Sequence, residues 1–376
     1  MDKQAYKNNY ALQLQGVSCV AEDFIDGLFD REVLNSILPV EVAAGIKRVI
    51  LLGSGNSHSA AGAAVPGVKR MNSFRKVNSP DLMDFLHYYP AARVMKGHDP
   101  KEVLVVALGL DGNLTALAQA VQKAKDMGVH TLFIGEGQVA EYNFDMKLCE
   151  RMNCEMGRYY AGMLSVLAVG AALTTASCEM CDRGFAKLKA DLLGCAKDLE
   201  SMLEEVDNVA FEAAVAMKDT KKYEVLADAY EGFTAQFTEA NLIKAAGVYC
   251  DRTNSEEYAH ISFMMRCIYE YGAIVFIRRD NPSFNRMVDT IDGCRMQQRP
   301  TLILTDGTPE DFVKSGDTDA PAQLYDIKFE SAEGEVDKKD AIFCKLPKVA
   351  RPWMAALIDF VPGALFAGYL AALNEK

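Results

Sequence analysis

Hydrophobic positions along the first half fall into short continuous runs, separated by stretches with helical spacing. The run from Lys47 closes on Gly53, and residues 57–71 then read as a helix interrupted near Pro66 and Gly67. Residues 74–77 predict a short strand, residues 81–89 a short amphipathic helix, and residues 102–109 a strand whose Val and Leu do not alternate. A helix over 113–127 stopped by Gly128, a strand over 130–135, a fifth strand over 146–149 and a long helix over 155–175 complete the unit. Strand–helix alternation with continuous apolar strands is the pattern of a parallel sheet covered on both faces.

Residues 182–217 are rich in Lys, Leu, Ala and Glu and read as a helical connector. The alternation then resumes, with strands predicted at 222–227, 247–250, 273–277, 301–307 and from Ala341, and a closing helix over 353–373. A polar, acidic excursion at 316–339 brackets one candidate strand at 324–329. The two halves share order and approximate length, which implies an internal duplication. The fold class is therefore α/β, two tandem doubly wound parallel-sheet domains (αβα sandwiches) with N- and C-terminal helices. The expected domains are 1–195 and 196–376.

Charge narrows the partners. With 52 acidic against 40 basic residues, the net charge of −12 repels a nucleic-acid backbone and an anionic membrane, so neither is expected. A small anion remains compatible, because helix N-termini bind phosphate locally. The ten cysteines lack the density of a secreted disulfide scaffold, and the N-terminal residues lack the apolar core of a signal peptide. The most apolar stretch, 163–176, is short for a bilayer and reads as a buried helix. A cytoplasmic location is expected. Cys178 and Cys181 form a single CxxC without the further ligands of a zinc site. No metal is implied elsewhere.

The most informative stretch is Gly53-Ser54-Gly55-Asn56-Ser57-His58, a strand running directly into a small-residue helix. Glycines permit a sharp turn and close ligand approach, the polar side chains offer hydrogen bonds, and the helix N-terminus adds unpaired N–H groups. A dinucleotide site would need a third glycine and an acid after the next strand, and both are missing.

This turn resembles the first loop of the sugar isomerase (SIS) double-domain family, which includes the isomerase half of glucosamine-6-phosphate synthase and the fructosamine-6-phosphate deglycases. Residues 103–135 are similar to that family's strand, Ser-x-Ser-Gly-x-Thr loop, helix and strand. Asn153-Cys154-Glu155-Met156-Gly157 resembles its Glu-x-Gly before a long helix, and Glu257 and His260 match its Glu-x-x-His segment. Residues 360–373 resemble its closing helix. The resemblance implies a cofactor-free isomerase or deglycase working on a sugar phosphate or sugar–amine conjugate by ring opening and enediol proton transfer, in a homodimer with shared sites. It implies ligand contacts at Gly53, Ser54, Gly55, Asn56, Ser57, His58, Asp111, Asn113, Thr115 and Glu155, and catalysis by His260 with Glu257 or Glu239.

The sequence also departs from the pattern. In the phosphate loop, Gly109, Asp111 and Leu114 stand where the family has Ser, Ser and Thr. An ionised Asp111 beside a phosphate is repulsive, whereas Asp111 capping the following helix is benign. Sixteen residues before His260 stands Lys244, not the family's acid, which brings Glu239 into consideration. After the strand at 222–227 no glycine turn follows, only Asp228-Ala229-Tyr230-Glu231, and the family's C-terminal lysine tail is not expected here. These departures favour a second reading, a catalytically degenerate sugar-binding protein acting as sensor or partner subunit.

Overall fold

The computed structural model describes residues 1–110, 114–136, 142–147, 150–265, 270–312 and 341–375. Asp111, Asn113 and the excursion at 316–339, with its candidate strand, lie outside the described residues. The chain divides into two compact units, Leu12–Glu200 and Met1–Ala11 with Ser201–Lys376.

The Leu12–Glu200 unit opens with α1 (Asn9–Leu28, its first turn belonging to the other unit), α2 (Arg31–Ile37) and α3 (Val40–Gly45). Five strands follow: β1 (Arg48–Leu52), β2 (Lys76–Asn78), β3 (Val103–Gly109), β4 (His130–Gly135) and β5 (Phe144–Met146). They form one sheet in the order β2-β1-β3-β4-β5, parallel throughout. Between them run α4 (Asn56–Met71), α5 (Leu82–Tyr88), α6 (Ala91–Met95), α7 (Thr115–Asp126) and α8 (Glu155–Ala176). One sheet face buries Ile50, Leu52, Val103, Val105 and Ala107 against Phe85 of α5 and Leu117, Val121 and Ala124 of α7. The helix α4 packs on α8.

The expected break in the 57–71 helix is not there: α4 continues through Pro66. Proline removes one N–H and crowds the preceding turn. Here the packing outweighs that penalty, because twelve of the sixteen residues of α4 are buried and Gly170 of α8 lets Val68 and Met71 approach closely.

After α9 (Asp182–Met217) come β6 (Lys222–Leu226), α10 (Gly232–Asn241), β7 (Tyr249–Thr253), α11 (Ser255–His260), β8 (Tyr271–Phe276), α12 (Phe284–Met296), β9 (Thr301–Thr305), β10 (Ile342–Lys345) and α13 (Ala356–Asn374). The second parallel sheet runs β10-β9-β8-β6-β7. Taken from its other edge this is β7-β6-β8-β9-β10, the same winding as the first, as a duplicated unit requires. In both sheets the chain reverses direction between the first and third strands of the unit, the crevice where open α/β sheets bind ligands.

Among the described residues, two segments, Glu155–Ala176 and Pro352–Asn374, are long and apolar enough to cross a membrane. Both are mostly buried in the protein, in keeping with the buried helix expected at 163–176.

Candidate functional site

In the Leu12–Glu200 unit the crevice between β1 and β3 is built by the turn at 53–57. A side chain at Gly53 would place its Cβ 2.6 Å from the backbone nitrogen of His58 and 2.7 Å from the Ser57 carbonyl oxygen, so the turn closes only around glycine. Gly55 has φ 54°, again a conformation that favours glycine. Asn56 then starts α4, which sets the positive end of a helix dipole directly after the turn, with the Ser57 N–H taken up by the Ser54 carbonyl at 3.0 Å.

The polar side chains divide into braced and unbraced ones. Ser57 is 2% exposed, and its Oγ accepts the Leu110 N–H at 2.9 Å, tying the turn after β1 to the loop after β3. Asn56 is 3% exposed and donates from Nδ2 to Oε1 of Glu155 at 3.0 Å. A carboxylate only accepts, so the amide orientation is fixed and Asn56 Oδ1 is left buried without a partner. Such an orphaned acceptor costs about 1–3 kcal/mol unless a donor reaches it. Ser54 and Thr115 are exposed, His58 half-buried. Tyr159, fully buried, shares a 3.2 Å hydroxyl contact with Ser59, and burial raises its pKa. The structure therefore brings Asn56 and Glu155 into contact and anchors Ser57 on the next loop.

Glycine at position 109 has a packing cause. A Cβ on Gly109 would lie 2.8 Å from Leu114 Cδ2 and 3.0 Å from Phe133 Cε2. Hydrocarbon occupies the space a serine side chain would need. Gly109→Ser is expected to lose about 1–3 kcal/mol by overpacking, and Leu114→Ala in the same chain should recover most of it. Urea unfolding of the single and double variants checks this; an unchanged midpoint in the single variant would mean the loop yields.

The expected catalytic residues lie in the other unit. Glu257 and His260 sit on α11 and both are exposed, with Asn254 capping that helix by accepting the Glu257 N–H at 2.9 Å. His260 Nε2 stands 3.4 Å from Glu256. Glu239 on α10 is half-buried, 3.5 Å from Arg252. Burial raises its pKa, with Arg252 opposing, which suits an acid–base group. Lys244 falls in a π-helical turn, Leu242–Ala246, directly after α10. Among the described residues, no hydrogen bond or ion pair joins Glu239, Glu257 and His260, and no cluster of His, Cys, Asp or Glu is arranged to hold a metal.

The second crevice, between β6 and β8, holds residues that motif matching passed over. The turn lacks glycines but shares a positive φ at the same place: Ala229, three residues after β6, has φ 52°, and Gly55, three residues after β1, has φ 54°. Residues 227–231 thus correspond to 53–57, with Asp228 at the place of Ser54 and Glu231 at that of Ser57. Asp228 accepts the Ser255 N–H at 2.9 Å and its Oγ–H at 2.5 Å. Asn281 donates to the Asp228 carbonyl at 3.2 Å and to Glu231 Oε2 at 2.5 Å. Glu231 is 3% exposed; burial, reinforced by Asp359 and opposed by Arg278, pushes its pKa up to about 8. Arg278 and Asp359, both buried, form a multiply hydrogen-bonded pair, and Arg278 also donates to the Pro347 carbonyl at 2.8 Å. The signal was legible as a position, the fixed distance after a strand, rather than as a motif.

No protein-family profile matches the sequence, and no curated protein matches it. Solved structures do. The C-terminal domain of glucosamine-fructose-6-phosphate aminotransferase from Francisella tularensis superposes with TM-score 0.78 at 11% identity, covering 100% of this chain and 98% of that one. Tagatose-6-phosphate ketose/aldose isomerase from Escherichia coli gives 0.66 at 13%, covering 99% and 96%. Glucosamine-6-phosphate deaminase from Thermotoga maritima gives 0.61 at 12%, covering 98% and 95%. At these identities the likeness is one of fold. Two identically wound parallel sheets, matched along the whole chain to such structures, give this protein the double-domain sugar isomerase (SIS) fold.

Proposed function

We propose that this protein is an isomerase or deglycase acting on a sugar phosphate or a sugar–amine conjugate. The observation that carries the reading is the 53–57 turn: a glycine-only backbone at the switch point, feeding a long helix N-terminus, beside the Asn56–Glu155 pair with its orphaned Oδ1. Backbone N–H groups there suit an anionic or hydroxyl head group. The Asn56 Oδ1 suits a ligand O–H or N–H.

In this scheme His260 assists ring opening by moving the proton between ring oxygen and hydroxyl. A carboxylate, Glu257 or Glu239, removes a proton from the carbon beside the carbonyl. The enediol that results is reprotonated on the neighbouring carbon, so the proton and the electron pair both return to substrate. No step calls for a cofactor.

A second reading, a sugar-binding protein without turnover, is favoured by one observation: Leu114 fills the position beside Gly109 that a phosphate-binding serine would use. The two readings separate experimentally. Hexose 6-phosphates, amino-sugar phosphates, fructosamine phosphates and their unphosphorylated parents are screened by thermal shift, since a ligand of the native state raises its melting temperature. Each hit is then incubated in D2O. Deuterium entering at the carbon beside the carbonyl, and lost in His260→Ala, supports the enzyme. Stabilisation without deuterium exchange supports the binding protein, and a screen with no stabilising compound removes both.

A further inference from the structure

The helix carrying the proposed catalytic pair is only six residues long, too short to hold itself in water. Its order must come from outside, and the contacts at its two ends differ. Away from its start, His260 stands 3.4 Å from the exposed Glu256, which pairs with Arg286 of α12 at 2.7 Å; such surface ion pairs fix little. At the near end Ser255, 2% exposed, is gripped twice by the Asp228 carboxylate, through backbone N–H at 2.9 Å and hydroxyl at 2.5 Å. Midway, the Tyr258 hydroxyl donates to Gln297 at 2.7 Å. Asp228 is itself held, its carbonyl accepting from Asn281.

We infer that Asp228 is a positioning residue for the reaction: its grip on Ser255 sets the start of α11 and, through it, the places of Glu257 and His260. In the first half the corresponding turn faces its crevice with Ser54 exposed. In the second half the residue at the same distance from its strand is a buried carboxylate bonded to the protein's own helix. Two charge-assisted hydrogen bonds converging on one residue fix a direction as well as a distance. This turn thereby supplies the geometry on which Glu257 and His260 depend. The kinetic part of this inference rests on the function proposed above; the structural part does not.

The test uses Asp228→Ala, Asp228→Asn and Ser255→Ala in the full chain. Hydrogen exchange of the 255–260 amides is measured in each, together with turnover of whichever screened sugar phosphate wild type converts. Asparagine still accepts the Ser255 N–H, and Ser255→Ala keeps that bond while losing the hydroxyl one. Exchange is therefore expected to accelerate most in Asp228→Ala and less in the other two, with the Leu12–Glu200 unit unchanged. Turnover should fall about 100-fold in Asp228→Ala through kcat, as misplacement of about 1 Å does, and be largely rescued in Asp228→Asn. KM should stay put, since the residues proposed to hold ligand are untouched. In a His260→Ala background, Asp228→Ala should add little.

Unchanged exchange at 255–260 in Asp228→Ala and Ser255→Ala would overturn the inference. So would an equal fall in kcat with and without His260. Should Asp228→Ala fail to fold, the other two variants decide the exchange result alone. If wild type converts none of the sugars, the function proposed above fails while the exchange result still decides whether Asp228 holds α11.

Discussion

Replacing Glu231 by glutamine is expected to flatten the decline in stability as pH rises from about 5 to about 9. In the folded protein this carboxyl titrates near 8, because burial and the neighbouring Asp359 penalise its charge more than Arg278 relieves it. In the unfolded chain it titrates in the ordinary carboxylate range. Between those values the folded state holds a proton that the unfolded state has released, so raising pH favours unfolding. The contribution is full below the ordinary value and is lost as pH climbs through about 8. Each pH unit between the folded and unfolded titration midpoints corresponds to about 1.4 kcal/mol, so from the ordinary 4.5 to about 8 a loss on the order of 5 kcal/mol is expected. The groups facing Glu231 are Asp228 on its own turn, Arg278 and Asn281 after β8, and Asp359 on α13, with Asp306 after β9 lying 3.8 Å from Arg278. Glutamine keeps the acceptor for Asn281 and removes the proton. Denaturant unfolding at several pH values reads the difference; parallel curves for wild type and Glu231→Gln would mean Glu231 is ionised in the folded protein at neutral pH.

Asp359→Ala should cost about 3–5 kcal/mol, because it strands the Arg278 guanidinium, 2% exposed, without its main counter-charge. Part of the loss should be returned through Glu231, whose raised pKa depends on the Asp359 charge. The two substitutions are therefore expected to be non-additive. Replacing both partners, as Arg278→Met with Asp359→Leu, should recover much of the stability, since an apolar pair carries no desolvation penalty. Urea midpoints at neutral pH check all three. A loss below about 1 kcal/mol in Asp359→Ala would show that Asp306 and the Pro347 carbonyl suffice to hold Arg278.

What the sequence disclosed follows from where local chemistry dominates. The buried strands were legible because parallel sheets need continuous Val, Ile and Leu, and the connector at 182–217 coincides with α9. Strand edges moved by a few residues: the strand expected at 74–77 is β2 at Lys76–Asn78, and that at 247–250 is β7 at Tyr249–Thr253. Pro66 misled because tertiary packing, not helix propensity, decides α4. At the candidate site, Gly53 and Gly55 announced themselves, since no other residue adopts that backbone cheaply. The Asn56–Glu155 contact was not legible as a pair, being 99 residues apart. Glu231 and Asp228 were missed because nothing in Ala-Asp-Ala-Tyr-Glu advertises a turn, and a buried acid looks in sequence like a solvated one. Asp111 and Asn113 lie outside the described residues.

Ala229 in the second turn carries a Cβ at φ 52°, a region that Gly55 occupies freely at 54° in the first. A residue other than glycine held there is strained by on the order of 1–3 kcal/mol and stays only because its surroundings over-determine it. The second turn is in that sense a wound spring, kept under tension by the folded packing around it, where the first is slack.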